Sequence, residues 1–125
     1  SCPDVTGAWS GGPFEAFRMN SSGSFSSVQR SSRELVISEQ SGCLINGQNR
    51  WSAEDGVMNS EYFVGHMDAN SGVITIMELD PHPNDGTTAI ITNRLLDDNT
   101  LLSEYTGYAS DGTFAQVFAE VLERE

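Results

Sequence analysis

The chain has 125 residues, enough for one domain spanning 1–125, and carries 18 acidic side chains against six basic ones for a net charge of −12. All six bases are arginine (Arg18, Arg30, Arg33, Arg50, Arg94 and Arg124), and so acidic a surface repels phosphate backbones and anionic headgroups, which argues against nucleic-acid and membrane partners. No apolar run is long enough for a membrane-spanning helix, and two cysteines with two distant histidines do not make a zinc set, so no metal and no other cofactor is expected.

The first segment, Cys2-Pro3-Asp4-Val5-Thr6-Gly7-Ala8-Trp9, leads into candidate strands at 5–10 and 13–19, separated by the turn signal Gly11-Gly12-Pro13. A chain that opens at Ser1 without Met reads as a processed, secreted or periplasmic protein. Asn20-Ser21-Ser22 is a glycosylation sequon that matters only in a eukaryotic source. The Ser-rich stretch 21–32 lacks a strand pattern and is expected to be a loop.

Next come segments 33–39 and 43–51, flanking Gln40-Ser41-Gly42, where a glycine with positive φ would close a hairpin. Segments 58–66 and 73–79 flank Asp68-Ala69-Asn70-Ser71-Gly72, and segments 87–96 and 100–108 flank Asp97-Asp98-Asn99. The last segment conflicts with itself. Phe114, Val117, Phe118, Val121 and Leu122 fall at helical spacing, and Thr113 with Gln116 imitates a capping box. The strand reading instead puts Ala115, Val117, Ala119 and Val121 on one face.

Short segments with turn signals at regular intervals give the fold class: all-β, a single antiparallel up-and-down β-barrel of about eight strands. The alternative is a barrel with a C-terminal helix at 113–123. Cys2 and Cys43 are expected to form a disulfide, which in the chain-entropy account stabilises by roughly 3–4 kcal/mol. Two buried free thiols, or a lipidated Cys2, are the other readings.

Gly7-Ala8-Trp9 at the first strand resembles the N-terminal signature of the calycins (lipocalins, fatty-acid-binding proteins and avidins), and Thr6-Gly7-Ala8-Trp9 after Cys2 is similar to the opening of avidins. The resemblance implies a barrel over the whole chain, closed at one end by Trp9 packed under a basic residue of the last strand, here Arg124. It tips segment 114–123 towards strand. It does not extend to biotin: avidin-type sites use several tryptophans, this chain has only Trp9 and Trp51, and Ser10-Gly11-Gly12 offers no clear match for the polar residue that follows.

The expected function is a secreted barrel that binds a small apolar or amphipathic ligand in its interior, lined by Trp51, Tyr62, Phe63, Tyr105 and Phe118. One alternative is a cyclase or isomerase acting on a hydrophobic small molecule, with Glu104 and Tyr105 as its chemistry and Glu15, Glu34 and Glu78 as further interior carboxylates. Another is a protease-inhibitor-like interaction protein, which would need Ser1 to Asp4 free. His66, Asp68, Asp80 and His82 would have to flank one barrel mouth to hold a divalent ion, and the plainer reading is a solvated acidic loop. No Gly-x-Ser-x-Gly elbow supports a hydrolase. Val73-Ile74-Thr75-Ile76-Met77 and Ala89-Ile90-Ile91 are apolar on both faces, which predicts a homodimer or tetramer.

Overall fold

The computed structural model describes residues 1–52, 55–79 and 87–125. Ten strands follow one another: β1 (Gly7–Gly11), β2 (Phe14–Asn20), β3 (Phe25–Arg30), β4 (Arg33–Ser41), β5 (Leu44–Ser52), β6 (Met58–Met67), β7 (Val73–Leu79), β8 (Thr87–Asp97), β9 (Thr100–Ala109) and β10 (Phe114–Arg124). No helix occurs among the described residues. All pairings are antiparallel, and β10 pairs back onto β1 to close the ring.

The ten strands make eight staves. β1 and β2 are one bent stave, and β3 and β4 are another, because both halves of this hairpin keep one register: Gly7 faces Ile37, Gly11 faces Arg33 and Phe14 faces Arg30. The bend falls at Gly12-Pro13, where proline has no N–H to give a ladder. Across from it, Ser31 and Ser32 also leave the ladder. Their amides donate to Ser52 Oγ at 3.0 and 3.1 Å, and the Ser52 amide donates to the Ser32 carbonyl, so Ser52 replaces ladder bonds that the break removes.

Residues 114–124 form the long strand β10, whose inward positions Phe118 and Leu122 pack in the core. The helical spacing of these apolar residues is overruled by pairing with β9 along nine residues and with β1 and β2 on the other side. The expectation of a loop over 21–32 is corrected: Phe25–Arg30 is strand β3, paired with β2, and only the turn at 21–24 and the break at Ser31-Ser32 are irregular. Composition hid it because Ser side chains suit a strand that is mostly exposed on both faces.

The turns carry the expected chemistry. Gly42 has φ +62° between β4 and β5. Asp68 Oδ1 accepts the amides of Asn70 and Ser71, Asp97 Oδ1 that of Asn99, and Asp111 Oδ1 that of Thr113. A close approach fixes one more glycine: any Cβ at Gly47 would run into the Val36 carbonyl, beside the β4 bulge between Ile37 and Glu39.

Candidate ligand-binding site

Alternation sends one residue in two from each stave into the barrel, and the inward residues differ sharply between the two ends. At one end Val5, Trp9, Leu35, Ile37, Ile45, Met67, Ile74, Leu101 and Leu122 form an apolar plug. Trp9 is fully buried; its Nε1 donates to the Val5 carbonyl at 3.0 Å, and the Arg124 guanidinium lies 4.4 Å from its ring centre. Arg124 also donates to the Asp4 carbonyl at 2.8 Å. The disulfide Cys2–Cys43 is formed beside this plug, with the two Cα atoms 5.3 Å apart.

Continuing along the same staves, the inward positions become polar. Arg33 on β4, Asn49 on β5, Glu61 on β6, Glu78 on β7 and Ser103 on β9 are all buried, while buried Asn93 on β8 sits nearer the plug, its Nδ2 donating to the Ile74 and Ile91 carbonyls. Arg33 Nε donates to Asn49 Oδ1 at 2.9 Å and Nη1 to Ser103 Oγ at 2.8 Å, while Glu120 Oε1 stands 3.5 Å from Nη1 as an ion contact. Asn49 Nδ2 in turn donates to Glu78 Oε2 at 3.1 Å. Above this network, Tyr105 stacks on Phe118 at 4.5 Å and Phe14 tilts against Phe118 at 4.7 Å. The Tyr105 hydroxyl donates to Thr87 Oγ1, which donates to Glu61.

Between the aromatic wall and the polar floor lies a cavity of about 50 Å³, lined by Phe14, Trp51, Tyr105 and Phe118 on its apolar sides and by Arg18, Arg30, Arg33 and Glu78 among its polar ones. That space holds a few waters or the end of a flat molecule entering from the open mouth.

Burial sets the electrostatics. Desolvation, reinforced by the facing Glu61, pushes the Glu78 carboxyl up to about 8, so it carries a proton at neutral pH. Burial lowers the Arg33 pKa, opposed by Glu120 and Glu78, and a guanidinium so placed stays a cation. Desolvation raises Tyr105 and Glu120 as well.

The residues singled out from sequence separate into three groups. Phe63, Tyr105 and Phe118 are buried inside the barrel, and Trp51 lines the mouth. Tyr62 is 61% exposed on the outer wall, because it neighbours Phe63 on a strand and must point the other way. The same rule parts Glu104 from Tyr105: Glu104 faces solvent while Tyr105 faces the cavity, so the two do not form one catalytic pair. Of the other interior carboxylates considered, Glu78 is buried, Glu15 is exposed and Glu34 pairs with Arg50 at 3.3 Å on the outside. His66 is exposed, no metal-binding group occurs among the described residues, and Asp80 and His82 lie outside those residues. The segment that a protease inhibitor would need free is tied down: Cys2 is bridged, and Gln40 bonds both the Pro3 carbonyl and the Val5 amide.

Sequence reasoning passed over Arg33, Asn49, Glu61, Ser103 and Glu120. Alternation held the signal, since each shares a face with core residues: Arg33 with Leu35 and Ile37, Glu120 with Phe118 and Leu122.

No protein-family model matches the sequence, and no curated protein is similar to it. Solved structures do share the fold. EF1p2_mFAP2b, a protein solved bound to DFHBI, superposes with a TM-score of 0.60 at 14% identity over 97% of this chain and 94% of its own. A redesigned beta barrel gives a TM-score of 0.58 at 15% identity, covering 97% of this chain and 91% of that one. At such identities the likeness establishes the closed antiparallel barrel.

Proposed function

We propose that the barrel is a non-enzymatic receptor for a small amphipathic molecule, which enters the open mouth, lays a flat apolar body against Phe14, Trp51, Tyr105 and Phe118, and turns a polar end to the buried floor. The observation that carries this reading is the contrast within one barrel: a sealed apolar end and a mouth where aromatic walls stand over a buried polar network with space left between them. A similar barrel solved with a small molecule bound gives the reading a precedent of shape. Kinship with the calycins belongs to the same proposal, supported by Trp9 under Arg124. So does a secreted or periplasmic setting, which the disulfide supports.

Native mass spectrometry of the protein taken from its source is the test. One small-molecule adduct per chain is expected. A bare chain that also takes up none of a panel of flat amphipathic molecules overturns the reading.

A specific surface supports self-association as a second part of the proposal. Outward positions on β6–β8 from 62 to 66, 73 to 79 and 88 to 94 carry no carboxylate, although the chain has 18. Within that face Val64 pairs with Met77, Met77 with Ile90 and Tyr62 with Leu79, all exposed and apolar. A second copy of an acidic chain meets no like charge there, which makes this face the one where two copies pack.

A further inference from the structure

The mouth sorts charge against the rest of the molecule. Three of the six arginines, Arg18, Arg30 and Arg33, line the cavity, with Glu78 as the single carboxylate among its described lining residues. A chain of net charge −12 thus turns half its positive charge onto one small space. Arg33 is fully buried, and while Nε and Nη1 bond Asn49 and Ser103, its Nη2 has no hydrogen-bond partner among the described residues. A buried guanidinium N–H left unmatched is costly, and a planar fork with one open edge suits a carboxylate oxygen.

Resting on the binding proposal above, we infer that the ligand is a small flat aromatic acid whose carboxylate sits on Arg33 while its ring lies against the Phe118–Tyr105 stack. An ammonium ligand meets three arginines against one carboxylate in the described lining, and a purely apolar one leaves Nη2 unmatched. Glu78 decides the pH range. The titratable and charged groups facing it are Glu61 from β6, Arg33 from β4 and Tyr105 from β9. Below about pH 8 the Glu78 carboxyl is neutral and adds no repulsion; as pH rises through 8 it ionises beside the bound carboxylate and weakens binding.

The experiment uses three probes of one shape, cinnamate, cinnamamide and cinnamylammonium, titrated into the whole chain by calorimetry and followed by tryptophan fluorescence at pH 6.5 and 9. Cinnamate is expected to bind at least tenfold tighter than cinnamamide at pH 6.5, with that margin shrinking at pH 9. Arg33→Met is expected to erase the margin, weakening cinnamate at least tenfold more than cinnamamide. Glu78→Gln, which keeps the Asn49 bond, is expected to flatten the pH dependence. The head-group comparison in the unaltered protein stands even if Arg33→Met does not fold. Equal binding of acid and amide, or tightest binding of the ammonium, overturns the inference but leaves the receptor reading intact. Binding of none of the three overturns the inference, and the receptor reading is then judged by its own adduct test.

Discussion

The two ends of this barrel are built from the same staves yet obey different rules. At the closed end, the inward residues are mostly Leu, Ile, Val, Met and Trp, the indole N–H is matched by the Val5 carbonyl, and buried Asn93 donates to the Ile74 carbonyl. Two to six residues further along the same strands, the inward positions are Arg, Glu, Asn and Ser, held by hydrogen bonds that leave some atoms unmatched. The closed end is filled almost wholly by apolar side chains; the open end accepts buried charge that an apolar filling would avoid. A barrel can carry such a floor because the plug beneath it is complete.

Substitutions that invert either end test this division. The largest effect is expected at the plug: Trp9→Ala removes the fully buried indole and should cost about 4 kcal/mol in chemical denaturation, while leaving ligand preference unchanged in whatever fraction stays folded. A loss near 1 kcal/mol would mean that the plug is not what holds the barrel. Opening the bridge beside it, by Cys2→Ala with Cys43→Ala, should cost about 3 kcal/mol by freeing the loop it closes.

At the open end the sign reverses. Glu78 has a folded-state pKa raised above the ordinary carboxylate value, so the unfolded chain holds fewer protons than the native one between roughly pH 4 and 8, and stability contributed by the neutral carboxyl is lost as pH rises through that window. Glu78→Gln should therefore stabilise the protein by about 2 kcal/mol at pH 8, with little change at pH 4, in paired urea titrations. On the outer wall, Met77→Glu should halve the particle mass in light scattering with little effect on folding; an unchanged monomer before and after would refute the packing face. The smallest effect belongs to the turns. Hydrogen bonds from the following residues hold Asp68, Asp97 and Asp111 below the usual carboxylate range, so their contribution is present above that range and lost as pH falls through it. Asp111→Ala should lower the thermal midpoint slightly at pH 7 and not at all at pH 2.

Turn chemistry and periodicity made most of the architecture readable, because Gly42, Asp68 and Asp97 sit where a short connection demands them. Strand β3 was hidden by its serines, and β10 imitated a helix because apolar residues at both its inner and outer positions satisfy either period. Of the site, the aromatic members were visible as large apolar residues, but their facing had to come from register: Tyr62 and Glu104 point outward by a single step from Phe63 and Tyr105. The polar floor was least legible. Charged residues such as Arg33 and Glu78 are ordinarily read as solvated, and only the ring of staves shows that six strands bring their polar inward residues to one level.

The bond between β1 and β10 also shapes how the chain reaches this form. Apart from the pairings of β10 with β2 and of β1 with β4, every other pair of neighbours in the ring follows directly in sequence, so most hairpins assemble over a short stretch of chain. Trp9 opposite Arg124 and the Glu125 amide on the Ala8 carbonyl join the first residues to the last. Loop-closure entropy is concentrated in that single seam, and the ring shuts only when β1 and β10 find each other. Linking Glu125 to Ser1 and opening the chain at the Asn70–Gly72 turn would turn this last, most distant contact into a local one, giving a permutant that folds through a different final step.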